Sequence, residues 1–390
     1  MGRYVIPVAG QVRARLPFLW LLFGAACQGR SAEVGVPVAS PVEPLAGLTE
    51  AQTARFQRGR EEFLEVDTAI EGLGPLFNAA SCSHCHALGG VGGGGVARVT
   101  RSVCVDAEGV VSEPSGGTLI PLFSTRPELS AAAPPRDCDT HTVQRRSTPL
   151  FGAGLMEAIA DEELEWVASQ QAVAIRGRVA WIEDAGTGEL RAGRFGWKAQ
   201  QATLRTFAGD AYRNELGITN ELFPDELAPG GDLALLAAMD PIEDPEADVG
   251  AIDALADFMR FLPPLSVGDS SVLGAELFDS IGCAGCHVPV LHAAETADIV
   301  AQGVPLYSDL LLHDVGTGDL IVQGAADGRE LRTAPLWGLR FAPHLLHDGR
   351  ASTVSEAILA HAGQATASRQ AFVELLSSEQ AELLSFLSAL

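Results

Sequence analysis

Two similar stretches, LGPLFNAASCSHCH (73–86) and LGAELFDSIGCAGCH (273–287), decide the fold of this 390-residue chain. Each ends in Cys-x-x-Cys-His, a spacing that is typical of c-type haem attachment. The two thiols of such a motif bind the haem vinyl groups, and the adjacent histidine reaches the iron as its proximal ligand. We therefore predict two covalently bound haem c groups. The attachment cysteines are Cys82, Cys85, Cys283 and Cys286, and the proximal histidines are His86 and His287.

Zinc binding and thiol redox chemistry are the alternative interpretations of these motifs. A zinc knuckle needs a further pair of cysteines or histidines at short spacing near each motif, and the sequence has none. A thioredoxin-type dithiol does not account for the histidine that follows each second cysteine. His84, inside the first motif, is expected to be solvated. Haem c is the interpretation that explains both motifs.

The segments around the two motifs repeat one plan. A helix and a tight turn precede Cys-x-x-Cys-His, and an amphipathic helix closes each copy. We predict a mainly α fold with two cytochrome c-like haem domains in tandem and a small β-hairpin insertion in the first. The N-terminal domain covers residues 49–265 and the C-terminal domain residues 266–390, with the boundary near Pro264–Gly268.

Local patterns place the elements within these domains. The segment from the glycine run 89–95 to about Gln144 is expected to be irregular, and the run lacks the Lys-Ser/Thr of a phosphate loop. Alternating residues predict the strands of a hairpin at 175–183 and 190–197. The predicted helices cover 49–66, 198–215, 249–262 and 378–390, the last with a capping box from Ser377 and Gln380.

The first 27 residues are typical of a secretory signal peptide (1–27), because arginines and no acidic residue accompany a short apolar run at 16–23. That run is shorter than the ~20 residues that span a bilayer. The same segment is alternatively a lipoprotein signal, with a lipid on Cys27. Residues 28–48, rich in Pro, Val and Ser, are expected to be a linker. We therefore expect a periplasmic or cell-envelope protein, lipid-anchored if Cys27 is modified.

Charge limits the partners. The chain has 26 Lys and Arg against 50 Asp and Glu, for a formal net charge of -24. Nucleic acid is not an expected partner, because phosphate binding needs a clustered positive surface. The charge also argues against docking on anionic lipid, so membrane contact is expected only through a lipid on Cys27. A basic protein partner is compatible with the charge.

Two cysteines remain after the four motif cysteines and Cys27. Cys104 and Cys138 are expected to form a disulfide, because an oxidising compartment permits one and their segment has little core of its own. The alternative is a pair of buried free thiols.

Further stretches extend the pattern over residues 49–390. They are RRSTPLFGAGLMEAI (145–159), GRFGWKAQQATLR (193–205), NELGIT (214–219), YSDLLLHDVGTG (307–318), RTAPLWGL (332–339) and HDGRASTVSEAILAHAG (347–363). With these stretches the chain resembles the dihaem oxidoreductases often labelled thiol oxidoreductases, in the superfamily of the bacterial dihaem cytochrome c peroxidases and MauG. The label "thiol" has no support here, because no unassigned cysteine pair lies in a setting that lowers a thiol pKa.

The resemblance implies a second ligand for the C-terminal haem. In the peroxidases a His-Asp/Ser-Gly motif is followed, fourteen residues later, by the distal ligand. Here His347 opens that motif and His361 stands at the ligand's position. The resemblance therefore implies bis-His ligation by His287 and His361, with a lowered reduction potential. A solvated histidine at a helix end is the alternative.

The resemblance also implies catalytic residues. Trp197 resembles the tryptophan that lies between the haems and carries electrons. Glu215 resembles the distal glutamate that moves a proton during peroxide cleavage, and Glu157 is the second choice for that role. The alternatives are a packed core tryptophan and surface glutamates.

One position departs from the family pattern, and three details stay open. Phe207 stands where the peroxidases carry a glutamine, so the pocket loses a hydrogen-bond donor to peroxide. The sixth ligand of the first haem is open, and His141 is a candidate that is expected to be solvated. His313 is expected near a haem propionate or the domain interface. Thr333 and Pro335 resemble positions whose carbonyls help to hold a calcium ion between the haems.

These observations predict an exported dihaem c-type cytochrome that acts as a peroxidase-like oxidoreductase. Electrons would enter at the C-terminal haem from a redox protein, such as a small cytochrome or a cupredoxin. Hydrogen peroxide or another small oxidant would react at the N-terminal haem. The alternatives are a non-enzymatic electron-transfer cytochrome, with both irons six-coordinate, and a MauG-like protein that oxidises the side chains of another protein.

Overall fold

The computed structural model describes residues 42–390 except 107–108, 110, 115, 127, 130–138 and 228–232. The predicted signal peptide, Cys27 and Cys138 lie outside the described residues, as does most of the predicted linker. The described residues form one compact unit. Within the described part of the chain, no helix has the length and apolarity that crossing a membrane requires.

Helices and several small sheets make up the described residues. The helices are α1 (Glu50–Leu64), α2 (Cys82–Cys85), α3 (Ala153–Glu157), α4 (Asp161–Gln170), α5 (Leu204–Ala211), α6 (Leu233–Met239), α7 (Ala251–Arg260), α8 (Val272–Ser280), α9 (Val354–Ala360), α10 (Thr366–Glu374) and α11 (Ser377–Leu387). The strands are β1 (Leu76–Phe77), β2 (Arg98–Val105), β3 (Val111–Ser112), β4 (Leu119–Ile120), β5 (Phe123–Ser124), β6 (Asp139–Arg146), β7 (Trp181–Glu183), β8 (Leu190–Ala192), β9 (Leu291–Ala293), β10 (Gln302–Val304), β11 (Leu312–His313) and β12 (Leu331–Arg332).

Helices α1 and α7 form the centre of the main hydrophobic core, and both were expected from the sequence. Phe56 and Phe63 of α1 pack on Phe258 of α7, with ring centres 5.3 and 4.6 Å apart. Gly59 permits this approach, because a Cβ there would lie 2.0 Å from the carbonyl oxygen of Ala254. The two helices therefore pack in direct backbone contact.

The segment expected to be irregular contains an antiparallel four-stranded sheet instead. Strand β2 pairs with β6 along its length, from Arg98 opposite Arg146 to Val105 opposite Asp139. It also pairs with β3 and β4. The expectation was wrong because β2 and β6 lie far apart in sequence, and no short turn signal joins them. Strand β6 ends at Arg146 and so leads the chain towards the site described below.

The predicted hairpin and the helix after it are shorter than expected. Strands β7 and β8 pair from Trp181 opposite Ala192 to Glu183 opposite Leu190. Helix α5 begins at Leu204, and a π-helical turn, Tyr212–Leu216, continues it. Residues 198–203 are not helical.

Helices α8 and α11 pack together at the C-terminal end of the chain. Gly274 lies against α11, where a Cβ would come within 2.3 Å of the Glu382 carbonyl oxygen. The start of α11 differs from the predicted Ser377–Gln380 capping box. The Leu376 backbone N–H donates instead to the Glu379 carboxylate at 2.8 Å, so Leu376 is the capping residue.

The main core is continuous past residue 265. Its buried members include Leu291, Leu306, Leu311 and Trp337 together with the side chains of α1, α5 and α7. The division into two haem domains at residue 265 stays a prediction.

Candidate functional site

The first Cys-x-x-Cys-His motif lies at the wall of one cavity, the N-terminal cavity. Cys82, Cys85 and His86 all line it. The His86 Nδ1 lies 3.1 Å from the carbonyl oxygen of Gly93, in the glycine run. A carbonyl partner on Nδ1 leaves Nε2 as the free, lone-pair nitrogen, which is the arrangement of a metal-binding histidine. Burial lowers the pKa of His86, which favours the neutral imidazole.

The second motif lines a separate cavity, the C-terminal cavity, in the same way. Cys283, Cys286 and His287 contribute to its wall. The His287 Nδ1 lies 3.0 Å from the carbonyl oxygen of Tyr307. Burial and the neighbouring His361 lower the pKa of His287 to about 4, so its imidazole is neutral at neutral pH. His86 and His287 thus both have the orientation of a histidine that binds a metal through Nε2.

Three of the four motif cysteines, Cys82, Cys85 and Cys283, are not poised as reactive thiols. Burial raises the pKa of the Cys82 thiol to about 12 and that of Cys85 and Cys283 to about 11. A thiol-exchange enzyme needs a thiolate near neutral pH. The geometry therefore gives no support to thiol redox chemistry at these motifs.

His361 shares the C-terminal cavity with His287. It follows α9 as the capping residue, and its Nδ1 lies 2.7 Å from the Ala357 carbonyl oxygen of that helix. Burial lowers the pKa of His361 as well. Two neutral imidazoles, each with a carbonyl on Nδ1, therefore line one cavity, as bis-His ligation requires.

Trp197 lies between the two cavities and lines both. Its Nε1–H donates to the carbonyl oxygen of Arg146 at 2.9 Å. The Arg146 guanidinium lies 5.3 Å from the centre of the indole ring, and the His347 ring meets its edge at 6.2 Å. The indole is thus fixed by a hydrogen bond, a cation and an aromatic edge.

The walls of the C-terminal cavity fit an anionic group. Among the described residues that line it there are three arginines, Arg146, Arg332 and Arg369, and no Asp or Glu. This is unexpected in a chain of net charge -24. Haem carries two propionate carboxylates, so the cationic wall and the oriented histidines together fit haem.

Residues 135–390 match the family described as "Di-haem oxidoreductase, putative peroxidase". The chain belongs to this family. The matched residues cover more than half of the chain and include the second motif, Trp197, Glu215 and His361, whereas the first motif precedes them. No curated protein matches the chain.

The solved structures that are similar to this dihaem oxidoreductase include a hydrazine synthase and a MauG-like protein. Hydrazine synthase of Kuenenia stuttgartiensis, pressurised with xenon, has 15% sequence identity and a TM-score of 0.42, over 98% of this chain and 100% of that chain. A MauG-like protein associated with microbial copper homeostasis has 17% identity and a TM-score of 0.40, over 90% of this chain and 93% of that chain. At these scores neither similarity assigns an activity.

In this dihaem oxidoreductase, Glu215 lies in the π-helical turn and lines the N-terminal cavity with His86. Burial raises the pKa of Glu215 to about 7, against a lowering influence from Arg101. Helices with a π turn often occur at functional sites. A carboxyl group that titrates near neutral pH can both accept and donate a proton there.

Phe207 lines the same cavity, at the position where the peroxidases carry glutamine. Its ring stacks on Phe195, with ring centres 5.6 Å apart and planes 19° apart. This wall is therefore apolar. Gln200 also lines the cavity and supplies an amide, although its Oε1 accepts the Lys198 backbone N–H at 3.2 Å.

Other predicted residues lie away from the cavities. The Glu157 carboxylate is bound by the Arg260 guanidinium at 2.9 Å and the Leu204 N–H at 2.8 Å, and Glu157 lines neither cavity. His141 is exposed on β6 and lines neither cavity, and His84 is also exposed. Cys104 is disulfide-bonded, while Cys138, its expected partner, lies outside the described residues.

His313 lies beside the second motif, as part of a buried hydrogen-bonded group. Its Nε2 lies 2.8 Å from the Asp309 carboxylate and its Nδ1 3.7 Å from the Cys286 sulfur. Gln171 donates to the same carboxylate at 2.7 Å. His313 therefore supports the attachment turn from the side.

The calcium site that the resemblance implied stays a prediction. The Thr333 carbonyl oxygen accepts hydrogen bonds from the Ser308 hydroxyl at 2.7 Å and from the Arg332 guanidinium at 3.0 Å. This carbonyl thus already has two hydrogen-bond donors, one of them cationic, and a calcium ion there would compete with them.

Arg146, Arg332 and His347 are site residues to which the sequence analysis gave no role in binding. All three lie in stretches that carried the resemblance, 145–159, 332–339 and 347–363. A basic residue inside a matched stretch of such an acidic chain was the signal that pointed to them.

Proposed function

We propose that this dihaem oxidoreductase is an exported c-type cytochrome with peroxidase-like activity. One haem c is attached at Cys82 and Cys85, and the other at Cys283 and Cys286. The observation that carries the proposal is the asymmetry of the two cavities. A titratable carboxyl group, Glu215, faces the N-terminal cavity, whereas a second histidine faces the C-terminal cavity.

Haem iron, when bound, supplies the redox chemistry at each site. At the N-terminal site, the chain's own residues bind the haem and move a proton between the two oxygens of the peroxide. The Gly93 carbonyl holds the Nδ1 of His86, so that Nε2 is the nitrogen that would bind the iron. Glu215, ionised, accepts a proton from the attacking oxygen of hydrogen peroxide and returns it to the leaving oxygen, which departs as water. Its pKa of about 7 suits both transfers.

At the C-terminal site, the chain's residues exclude peroxide and place Trp197 where it can transfer electrons to the N-terminal site. If haem is bound there, His287 and His361 would both hold it, and the second imidazole would keep peroxide from this site. Electrons from a redox protein enter at this site and reach the N-terminal site by way of Trp197, which lines both cavities.

Sequence features support the proposed export and the proposed electron donor. The signal-like segment 1–27 and c-type attachment both suit a protein of the periplasm or cell envelope. A lipid on Cys27, as the alternative to an ordinary signal peptide, would anchor it to the membrane. A net charge of -24 suits a basic electron donor, such as a small cytochrome or a cupredoxin.

A non-enzymatic electron carrier is the second candidate, and Phe207 favours it. An apolar wall replaces a hydrogen-bond donor in the N-terminal cavity, which weakens peroxide binding. A MauG-like activity on another protein uses the same site with a different substrate.

The electron paramagnetic resonance spectrum of the oxidised holoprotein, followed by peroxide mixing, separates these candidates. The peroxidase proposal expects one high-spin iron and reoxidation of the reduced protein by hydrogen peroxide. Two low-spin irons in every redox state, with no reaction with peroxide, would establish the electron carrier instead. Oxidation of an added protein's side chains without turnover of a reduced donor would establish the MauG-like activity.

A further inference from the structure

Two arginines beside Trp197, one buried and one half-buried, form no ion pair with a carboxylate in the described part of the chain. The Arg332 residue is 4% exposed, and Arg146 is half-buried. The two other deeply buried arginines of the described residues, Arg145 and Arg194, are paired with Asp319 and Asp161. A largely buried charge without an ion-pair partner is costly, and Asp309 acts on Arg332 only beyond ion-pair distance, so an anion is expected near Arg146 and Arg332.

The hydrogen bonds of these guanidinium groups are incomplete. Arg332 donates from Nε to the Gly196 carbonyl at 2.9 Å and from Nη1 to the Thr333 carbonyl at 3.0 Å, and its Nη2 has no partner among the described residues. Arg146 donates from Nε to the Leu346 carbonyl at 2.9 Å, and both of its Nη atoms lack a described partner. The carbonyls fix the two guanidinium planes and leave N–H groups free to bind an anion.

The free N–H groups belong to residues that line the cavities. Both arginines line the C-terminal cavity, and Arg146 lines the N-terminal cavity too. Burial lowers the pKa of each guanidinium to about 10, so both are charged at neutral pH. The anion they fit must therefore lie in the cavities.

The same arginines hold Trp197 in place. The Arg332 backbone N–H donates to the Trp197 carbonyl at 2.8 Å, and the Trp197 Nε1–H donates to the Arg146 carbonyl at 2.9 Å. Whatever binds the guanidinium groups therefore lies next to the indole.

We infer that Arg332 and Arg146 bind the propionate carboxylates of the C-terminal haem, and that Arg146 also contacts a propionate of the N-terminal haem, so that an ion-paired bridge surrounds Trp197. This inference rests on the haem occupancy proposed above. It adds that the bridge raises the reduction potential of the C-terminal haem, because nearby positive charge favours the reduced iron. The bridge partly offsets the lowering effect of a second imidazole ligand.

Spectroelectrochemistry and resonance Raman spectroscopy of the holoprotein test the inference. Arg332→Gln removes the charge and keeps a hydrogen-bond donor, Arg332→Lys keeps the charge, and Arg350→Gln is the matched control. Arg350 is exposed, pairs with Asp348 and lines neither cavity. We expect Arg332→Gln to lower the potential of the C-terminal haem and to shift its propionate-bending Raman bands. Arg332→Lys should retain most of the potential, and Arg350→Gln should change neither readout.

Arg146→Gln provides a second variant if Arg332→Gln does not fold. Because Arg146 lines both cavities, this variant should lower the potentials of both haems. Unchanged potentials and propionate bands in the folded variants would overturn the inference. A spectral response of the wild-type holoprotein to added inorganic phosphate would also overturn it, since the guanidinium groups would then be free. A colourless protein would contradict the proposed haem binding itself, and its absorption spectrum would show this before the potentials are measured.

Discussion

The Trp197 Nε1–H donates to the carbonyl oxygen of Arg146 at 2.9 Å, while the guanidinium of the same arginine lies 5.3 Å from the indole ring centre. One residue thus holds the indole from two sides. Arg146 is also the last residue of β6, so the sheet carries this contact to the point where both cavities meet.

Replacement of Trp197 with Phe should slow electron transfer between the haems. Phe keeps an aromatic ring and loses the hydrogen bond to Arg146, so the packing changes little. Stopped-flow spectra of the reduced protein mixed with peroxide would show slower oxidation of the C-terminal haem with unchanged static spectra. Trp166→Phe, at a site that is 59% exposed, is the control. Equal rates in both variants and the wild type would remove Trp197 from the path.

Glu215→Gln should lower peroxide turnover by about 10²- to 10⁴-fold, the usual contribution of a positioned acid–base group. The amide fills the same space and cannot accept the proton. The control is Glu221→Gln, an exposed glutamate paired with Arg205. If both variants turn over peroxide like the wild type, Glu215 has no part in the proton transfer.

The pH profile of the wild type should follow the same carboxyl group. Burial raises the pKa of Glu215 to about 7, and the base must be ionised to accept a proton. The rate of peroxide reaction should therefore rise as the pH increases through about 7 and fall on acidification. Glu215→Gln should flatten this limb of the profile. A limb that persists in the variant belongs to another group.

Replacement of His361 with Ala should change only the C-terminal haem. Loss of the distal imidazole should leave that iron with an open position, which appears as new high-spin intensity in the electron paramagnetic resonance spectrum. His292→Ala, at an exposed histidine, is the control. A spectrum identical to that of the wild type would refute the assignment of His361 as a ligand.

Gly274→Ala should destabilise the packing of α8 on α11 by about 1–3 kcal/mol, the usual cost of overpacking. The new Cβ would lie 2.3 Å from the Glu382 carbonyl oxygen. Gly268→Ala is the control, since its Cβ would meet its nearest atom at 3.5 Å. Denaturant unfolding of the two holoproteins measures the difference, and equal midpoints would show that α11 shifts without cost.

The sequence predicted those elements whose signal is local. Helices α1 and α7 follow from apolar spacing, α8 follows from the plan repeated before the second motif, and the motif histidines follow from a five-residue pattern. The sheet of β2 and β6 could not be predicted in this way, because its pairing joins Arg98 to Arg146 across a long separation.

The residues of the site could be predicted only where they belong to a recognisable sequence motif. His361 and Glu215 lie in cavities with the motif histidines, whereas Glu157 is held by Arg260 in an ion pair that no short spacing reveals. The roles of Arg146 and Arg332 depend on missing partners. Such a property belongs to the folded chain, because it requires knowledge of which carboxylates are near.

The intact mass of the denatured protein, expressed with a cytochrome c maturation system, tests the central claim most directly. The account predicts the mass of the mature chain plus two haem groups, and loss of one group in each of the double variants Cys82→Ala/Cys85→Ala and Cys283→Ala/Cys286→Ala. A colourless protein whose mass lacks both haem groups would contradict it.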